Sequence, residues 1–316
     1  MTTIQDAFNA SPLAFGGASI SGEGGGYGFG GIEENEALSL VDDAFDKGLR
    51  IFDTAPIYGF GMSERRLGKA LNKKRDQVFI ISKCGVDWDA KKNVAIRNDP
   101  KTTKRMLDES LKRLNSDYID LYMVHWPDAD IDIRHTLEVL TKAQEAKKIL
   151  YIGLCNTNEQ ELKLAAEVAR VKVVQNQLNV FENSSQNLFS QLANDRQFFM
   201  SWGTLDKGII TGSVTRDRTF DKDDVRAGEA PWWNDDINLP KLKVMEKILP
   251  LLKEHGHSGL EFALEHNMRL YNQFNLHGVN LCGAKNSKQL SSLLNALSNP
   301  PVAELMQEAL KYVKNA

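Results

Sequence analysis

Eight short apolar segments recur along the chain, and each is followed by a longer segment with helical periodicity. The short segments are almost continuously hydrophobic, as expected for parallel strands that are covered on both faces. Repeated strand-then-helix units with right-handed crossovers form either an open doubly wound sheet or a closed barrel. Eight strands, without a Gly-x-Gly-x-x-Gly pattern after the first, favour the α/β class and a (β/α)8 TIM barrel. The predicted strands are 13–17, 50–53, 78–83, 118–125, 151–155, 171–175, 198–202 and 278–283.

The predicted helices carry residues that usually begin and end helices. The segment from Glu34 to Lys47 has one apolar face, and Gly48 follows it as a helix stop. Asp99 and Pro100 open another helix with an N-cap acid and a proline in the first turn. These local signals place helices between the strands, as a barrel requires. Further helices are predicted to begin at Asn158, Ser258 and Ser287, the first two with capping-box spacing.

Two long segments interrupt the repeating pattern. Residues 21–31 form a glycine-rich loop after the first strand, and residues 213–240 form a longer loop after the seventh. Loops of this length in a compact domain are usually binding loops or lids. For the second loop we expect closure over a bound ligand, with a disordered insertion as the alternative. Because no repeat or linker marks a boundary, residues 1–316 are expected to form a single domain.

Composition excludes several classes of protein. The 316 residues carry a formal net charge of -3, so no basic footprint for nucleic acid or an anionic membrane is present. No apolar run reaches the ~18 residues of a membrane span, and residues 1–12 lack the order of a signal peptide. The three cysteines are widely spaced and show no metal-ligand pattern. We expect a cytoplasmic protein, without a metal site, that is a monomer or a small homo-oligomer.

Four chemically active side chains follow the ends of predicted strands: Asp53, Tyr58, Lys83 and His125. The carboxyl ends of barrel strands converge on one mouth, where the active sites of this fold lie. Each residue alone could be structural, as an ion pair or a loop residue, but four together favour an active site. Lys83 would lower the pKa of Tyr58, and Asp53 would keep Lys83 charged. His125 could donate a hydrogen bond to a substrate oxygen.

Three segments resemble the aldo-keto reductase superfamily: GLRIFDTAPIYGFGMSERRLGKAL, IISK and LDESLKRLNSDYIDLYMVHWPD. The resemblance extends from about residue 13 to residue 297. It implies a (β/α)8 barrel and an NAD(P)(H)-dependent oxidoreductase with Asp53, Tyr58, Lys83 and His125 as its catalytic residues. It also implies hydride transfer between C4 of the nicotinamide and a carbonyl carbon, with Tyr58 as the proton donor in reduction.

The same resemblance implies a set of cofactor-binding residues. Asn156 and Gln175 match the residues that bind the carboxamide, and Trp202 matches the aromatic residue that stacks on the nicotinamide. Residues 203–212 resemble the pyrophosphate loop, and Lys285 is the candidate for a 2′-phosphate. NADP(H) is therefore favoured, with NAD(H) as the alternative. The implied set is Asn156, Gln175, Trp202, Gly203, Thr204, Leu205, Lys207, Gly208, Gly283, Lys285 and Gln289.

The chain departs from the family pattern at four positions in three segments. Cys155 stands where serine is usual, and Thr204 and Cys282 replace common prolines. Gln289 occupies a position that is arginine in some branches. Cys155 lies in the carboxamide segment, Thr204 in the pyrophosphate segment, and Cys282 and Gln289 both lie in the adenosine segment.

All five tryptophans end or follow predicted strands, which places them at the mouth side of the barrel. A tryptophan there supplies a flat apolar wall with a polar N–H group, as a ligand pocket requires. We expect Trp202 to stack on the cofactor. The expected substrate-binding residues are Trp88, Trp126, Trp232 and Trp233.

The leading hypothesis is an NADP(H)-preferring aldo-keto reductase that acts on small aldehydes or ketones, or works as a sugar or alcohol dehydrogenase. The alternative is a cofactor-binding regulatory protein with slow residual reductase activity. A metal-dependent hydrolase that uses Asp53 and His125 is disfavoured, because the strand ends lack paired histidines or clustered carboxylates.

Overall fold

A computed structural model of the chain describes residues 2–22, 26–227 and 233–314. Eight parallel strands close into a barrel in the order β1-β10-β9-β8-β7-β6-β3-β2, which confirms the predicted (β/α)8 fold. Every predicted strand agrees with an observed one to within two residues at each end. The barrel strands are β1 (Leu13–Gly16), β2 (Ile51–Asp53), β3 (Phe79–Cys84), β6 (Ile119–Val124), β7 (Ile149–Cys155), β8 (Val171–Gln177), β9 (Phe198–Trp202) and β10 (Gly278–Cys282).

A short helix that sequence patterns did not predict, α1 (Ile4–Ala10), covers the amino-terminal end of the barrel. The ring of Phe8 lies 6.1 Å from that of Phe79 and 4.5 Å from that of Phe198, between centroids. Inside the barrel, apolar side chains from most strands fill the space above these rings. Because this end is closed by apolar packing, the opposite mouth is left for the functional site.

The outer helices cover the strands with their apolar faces. Two predicted ends are confirmed: Asp99 caps its helix through the Lys101 and Thr102 amides, and Gly48 has a φ of 94° after a helix ending at Asp46. Within the described residues, no helix is long and apolar enough to cross a lipid bilayer. The helices are α2 (Glu34–Asp46), α3 (Met62–Leu71), α4 (Pro100–Leu114), α5 (Ile133–Glu145), α6 (Glu159–Ala166), α7 (Phe189–Asn194), α8 (Asp235–Glu254), α9 (Gly259–Gln273), α10 (Ser287–Ala296) and α11 (Ala303–Lys314).

Two features of the loops differ from expectation. The segment after β3 forms an antiparallel hairpin of β4 (Val86–Trp88) and β5 (Val94–Ile96). The loop predicted for residues 213–240 is shorter, because α8 begins at Asp235 and Pro240 lies inside it. Asn234 caps this helix by accepting a hydrogen bond from the Ile237 amide. The cap decides the start of the helix, whereas proline only removes one backbone donor from its first turns.

A buried histidine makes the stability of the barrel dependent on pH. His266 on α9 is 7% exposed, and its Nε2 has no hydrogen-bond partner among the described residues. Burial lowers its pKa from 6.5 to about 4. A lowered pKa stabilises the fold above pH 6.5, and this contribution is lost as the pH falls towards 4. At 1.36 kcal/mol for each pH unit, the total is roughly 3 kcal/mol.

We therefore predict that His266→Leu reduces the acid sensitivity of the fold. The free energy of unfolding, measured in urea at pH 7 and at pH 4.5, should fall less in this variant than in the original chain, by roughly 2 kcal/mol. His135→Leu, at an exposed position on α5, is the control and should leave the difference unchanged. An equal loss in the original chain and in His266→Leu would contradict the assignment.

Candidate active site

A buried ion pair lies at the base of the barrel mouth, between the ends of β2 and β3. Lys83 Nζ lies 2.6 Å from Asp53 Oδ1 and 2.8 Å from Oδ2, and it donates to the Thr54 carbonyl at 2.9 Å. Both side chains are at most 1% exposed. Burial alone would lower the pKa of Lys83, but the adjacent carboxylate raises it above its usual value. Lys83 is therefore charged at physiological pH.

Tyr58 lies directly over this pair, in the turn that follows β2. Lys83 Nζ is 5.3 Å from the centroid of its ring. Burial raises the pKa of Tyr58 to about 12, against the opposing effect of the Lys83 charge, and Asp53 adds to the increase. Lys83 acts on Tyr58 in the expected direction, but burial outweighs it, so the net pKa of Tyr58 is raised. A phenol with this pKa keeps its proton at neutral pH, so before any reaction Tyr58 is a proton donor.

His125 completes the group from the end of β6. Its ring is perpendicular to that of Tyr58, with centroids 5.8 Å apart. Its backbone N–H donates to the Cys84 carbonyl at 2.9 Å. Burial, together with the Lys83 charge, holds the pKa of His125 well below its usual range. The imidazole is therefore neutral at pH 7 and presents one N–H donor and one acceptor nitrogen.

Residues from β7, β8 and β9 adjoin the ion pair. The Gln175 side-chain amide donates to Asp53 Oδ2 at 2.8 Å. Cys155 Sγ lies 3.5 Å from Gln175 Oε1, so its thiol points into the barrel beside the carboxylate. Asn156 accepts a hydrogen bond from the Trp202 indole at 2.9 Å. The structure thus brings together Gln175, Asn156 and Trp202, which the sequence resemblance had grouped as nicotinamide-binding residues.

The segment after β9 has an unusual backbone. Gly203, Asp206, Lys207 and Gly208 have φ values of 67°, 42°, 55° and 102°. Positive φ is rare outside glycine, and such strain tends to occur at ligand-binding segments. Asp206 is 1% exposed, and its carboxylate binds Lys241 Nζ at 2.7 Å and Lys207 Nζ at 3.4 Å. The carboxylate therefore holds two ammonium groups beside this turn.

Two other predicted residues of this segment face inward. Thr204 is 1% exposed, and its hydroxyl lies 2.9 Å from that of Ser201. Leu205 is partly buried and packs against the outer core. Their side chains therefore support the turn, so that a ligand would contact this segment mainly through backbone and Lys207.

The loops after β1 and β9 meet across the mouth. Phe29 pairs with Asp224 in an antiparallel bridge, and the Val225 N–H donates to the Gly28 carbonyl at 2.9 Å. Arg226 binds Asp224 at 2.7 Å and donates to the Lys207 carbonyl at 3.0 Å. The sequence analysis did not identify Arg226, because nothing local distinguishes it from other charged loop residues.

The segment after β10 also contacts the first loop. Lys285 Nζ donates to the carbonyls of Gly30 and Gly31, at 2.8 Å in each case. Gln289 Oε1 accepts from the Lys285 amide at 2.8 Å, so this glutamine supports the backbone that carries Lys285. A Cβ at Gly283 would lie 2.9 Å from Ser19 Cβ, so the absence of a side chain allows the two segments to pack closely.

Positive charges are concentrated along this side of the mouth. Burial lowers the pKa of Lys207, and the nearby Lys241 adds to the effect. Burial also lowers the pKa of Lys285, with Arg226 contributing. Partly buried cations that repel one another are stabilised by an added anion. This side of the mouth therefore carries several cations together with the two carboxylates that pair with them, Asp206 and Asp224.

An apolar wall lies on the other side of Tyr58. The Trp88 ring on β4 is inclined at 68° to that of Phe60, with centroids 5.4 Å apart, and both pack in one cluster with Tyr27 and Tyr58. Tyr27 and Phe60 were not predicted, since each lies in a loop without a hydrophobic pattern. Trp126 follows His125 and is 38% exposed.

The two tryptophans of the long loop have different outcomes. Trp233 packs against Phe220, with ring centroids 5.8 Å apart, in a cluster formed mainly by α8, α9 and α11. That cluster does not include Tyr58, so the structure does not bring Trp233 to the apolar wall. Trp232 lies outside the described residues.

Comparison with known proteins agrees with this geometry. The profile of the Aldo/keto reductase family matches residues 12–313. Aldo-keto reductase YhdN from Bacillus subtilis (strain 168) is 37% identical over 232 residues, which are 71% of this chain and 68% of the relative. The NADH-specific methylglyoxal reductase of Escherichia coli (strain K12) is 28% identical over 243 residues, 72% of this chain and 74% of that protein.

Among solved structures, the glycerol dehydrogenase AKR11B4 from Gluconobacter oxydans superimposes with a TM-score of 0.82 at 26% identity. The match covers 97% of this chain and 92% of that structure. The family profile and this structure both match nearly the whole chain, so the similarity extends over the entire barrel. The chain belongs to the aldo/keto reductase family.

Proposed function

We propose that this protein is an NAD(P)H-dependent reductase that converts small aldehydes or ketones to alcohols, or catalyses the reverse reaction. The observation that supports the proposal most directly is the buried Asp53–Lys83 pair beneath Tyr58, with His125 perpendicular to the phenol. When bound, the nicotinamide supplies the hydride from C4. The remaining steps belong to side chains of this chain.

Tyr58 is the general acid in this proposal. Its raised pKa keeps the phenol protonated, so it can transfer a proton to the carbonyl oxygen as that oxygen gains charge. Lys83 stabilises the tyrosinate that remains, and Asp53 keeps Lys83 charged and in position. The neutral imidazole of His125 donates a hydrogen bond to the same oxygen. In the oxidative direction, the proton of the alcohol returns to the tyrosinate of Tyr58 and the hydride returns to the cofactor.

The residues on the phosphate side fit a nicotinamide dinucleotide. Trp202 offers a partly exposed aromatic face beside Gln175 and Asn156. Lys207 and Lys285 supply cations whose pKa values are lowered by burial, which makes a nearby anion favourable, and Arg226 adds a third cation beside them. We therefore place the pyrophosphate near the strained turn after β9 and the adenosine end near Lys285.

We propose a preference for NADP(H), because a charged lysine is available to a 2′-phosphate. The Escherichia coli relative is named as NADH-specific, so both cofactors need to be compared directly. All three cysteines are free and buried, which supports the proposed cytoplasmic location.

The experiment that tests the proposed function is a substrate panel. Aldehydes, ketones and sugars are supplied with NADPH or NADH, and the absorbance of the reduced cofactor is followed. The apolar wall of Trp88, Phe60 and Tyr27, with Trp126 beside the mouth, favours carbonyl compounds with an apolar group over free sugars. No oxidation of either cofactor with any carbonyl, and no reduction with any alcohol, would contradict the proposal.

Cofactor choice gives a separate prediction. Lys285→Ala should weaken NADPH binding by about 10- to 100-fold, because hydrogen bonds to charged groups contribute about 1.5–3 kcal/mol. NADH binding should change much less. Lys285 also holds the Gly30 and Gly31 carbonyls, so some loss common to both cofactors is expected. Lys288→Ala, at an exposed position on α10, is the matched control. Equal losses for NADPH and NADH in fluorescence titrations would exclude Lys285 as the selective residue.

A further inference from the structure

A chain of hydrogen bonds crosses the mouth of the barrel from Trp202 to His125. Trp202 Nε1 donates to Asn156 Oδ1 at 2.9 Å, and Asn156 Nδ2 donates to the backbone carbonyl of His125 at 2.8 Å. Trp202 ends β9, Asn156 follows β7 and His125 follows β6. The chain therefore links the aromatic ring on the cofactor side with the histidine beside Tyr58.

The side-chain amide of Asn156 can satisfy both partners in one orientation only. An indole N–H is solely a donor and a backbone carbonyl is solely an acceptor, so the amide oxygen must face Trp202 and the amide nitrogen His125. The Asn156 backbone has a φ of 51°, which asparagine tolerates better than most residues. Its N–H donates to the Gln175 carbonyl at 3.0 Å. The backbone of Asn156 is thus fixed by Gln175, and its side chain is fixed by Trp202 and His125.

The peptide groups on both sides of His125 are fixed. Its N–H donates to the Cys84 carbonyl, and its carbonyl accepts from Asn156. Beyond this point the chain leaves the strand at Trp126, which is 38% exposed. Without the Asn156 bond, the His125 carbonyl would lose this partner. The strand end would then be held by the His125 N–H and, one residue further on, by the Trp126 carbonyl, which accepts from Asn98 Nδ2 at 2.9 Å. Of these bonds, the one from Asn156 acts directly on the carbonyl of His125.

We propose that Asn156, oriented by the indole N–H of Trp202, is a positioning residue that holds His125 for binding of the substrate oxygen. The inference rests on the proposed function for the role of His125, whereas the hydrogen-bonded chain stands on the geometry alone. The chain uses the edge of the indole and leaves its face open for stacking. A phenylalanine at position 202 would keep a ring face but would leave the amide of Asn156 without its donor.

The first test uses the ligand-free protein and needs no activity. In ¹H–¹⁵N spectra, the indole signal lost in Trp202→Phe identifies the Trp202 N–H. We expect Asn156→Ala to speed its hydrogen exchange by at least ~10-fold, because the acceptor is removed. Asn158→Ala is the matched control: it removes the N-cap of α6, lowers the Tm and leaves the exchange unchanged. Unchanged exchange in Asn156→Ala would overturn the proposal.

A second variant tests the bond to the His125 carbonyl separately from the bond to the Trp202 indole. It also provides a test if Asn156→Ala does not fold well. Asn156→Asp retains an acceptor for the indole but has no donor for the His125 carbonyl. At pH 7.5 the indole should stay protected, while the imidazole signals of His125 should shift. Asn158→Ala should leave those signals in place. Imidazole signals that do not move in Asn156→Asp would show that Asn156 does not position His125.

Kinetics then test whether the positioning matters for the reaction. Asn156→Asp should lower kcat by about 10- to 100-fold, since small displacements of catalytic groups cost rates of that order, with a smaller change in the Kd for NADPH. In a His125→Gln background the same change should have less than about a twofold further effect, because it acts through His125. Full additivity, or a loss confined to cofactor affinity, would overturn the positioning role. If the original chain reduces no carbonyl compound, the proposed function fails. The hydrogen-exchange and imidazole measurements then still decide whether Asn156 positions His125.

Discussion

Replacing Tyr58 with phenylalanine is expected to lower carbonyl reduction by at least ~10²-fold, while the fold and cofactor affinity remain close to those of the original chain. The phenol is the proton donor in the proposed mechanism, and general acid catalysis typically contributes factors of 10² to 10⁴. Phenylalanine keeps the ring that packs against Trp88 and Phe60 in the apolar wall. The loss should therefore appear in kcat, measured by the absorbance of NADPH.

The control for this prediction is Tyr312→Phe, which removes a hydroxyl from an exposed position on α11. It should leave both kcat and Tm unchanged. A Tyr58→Phe variant that turns over at more than about a tenth of the original rate would contradict the assignment of Tyr58 as the acid, because the expected contribution is larger.

Replacing Lys83 with methionine is expected to cost about 3–5 kcal/mol of unfolding free energy as well as the activity. The change leaves the carboxylate of Asp53, which is 1% exposed, buried without its cation, and unpaired buried charges carry costs of this size. Urea denaturation measures the stability, and the substrate assay measures the activity. Lys69→Met is the control, because its pair with Glu34 is largely exposed and such pairs contribute at most about 1 kcal/mol.

A second substitution tests the cause of that instability. Asp53→Asn in the Lys83→Met background removes the buried charge, so the double variant should recover part of the lost unfolding free energy. Its activity should remain lost, since the cation that stabilises the tyrosinate is absent. Two results would show that an unpaired Asp53 carboxylate does not destabilise the fold as expected. One is a double variant that is less stable than Lys83→Met, and the other is a Lys83→Met variant that loses under about 1 kcal/mol of unfolding free energy.

Much of the barrel could be predicted because its strands and helix ends are marked by short stretches of neighbouring residues. Continuous apolar runs indicated all eight strands of the barrel, and the N-cap at Asp99 and the glycine at position 48 marked helix ends that the structure confirms. The positions of Asp53, Lys83 and His125 at strand ends followed from the same pattern, since a parallel barrel carries every carboxyl end to one mouth. The family was recognisable from the same residues.

Features that depend on packing were missed or misjudged. The helix α1 is too short for a periodicity signal, and its role depends on the ring of Phe8 meeting Phe79 and Phe198. Trp233 packs with Phe220 rather than in the cluster that contains Trp88 and Phe60. Neither outcome is visible in the local pattern, because both depend on which apolar surfaces remain uncovered after the strands have closed.

What the sequence by itself determined is the identity of the proposed catalytic groups and the end of the barrel at which they lie. Only the tertiary structure decided their chemical states: the pKa of Tyr58 is raised rather than lowered, because burial outweighs the Lys83 charge. It also decided the hydrogen-bond partners of Gln175 and Lys285. Gln175 binds Asp53, 122 residues away along the chain, and Lys285 binds Gly30 and Gly31, 255 and 254 residues away. Burial and long-range hydrogen bonds arise only when distant segments pack together, so no local pattern encodes them.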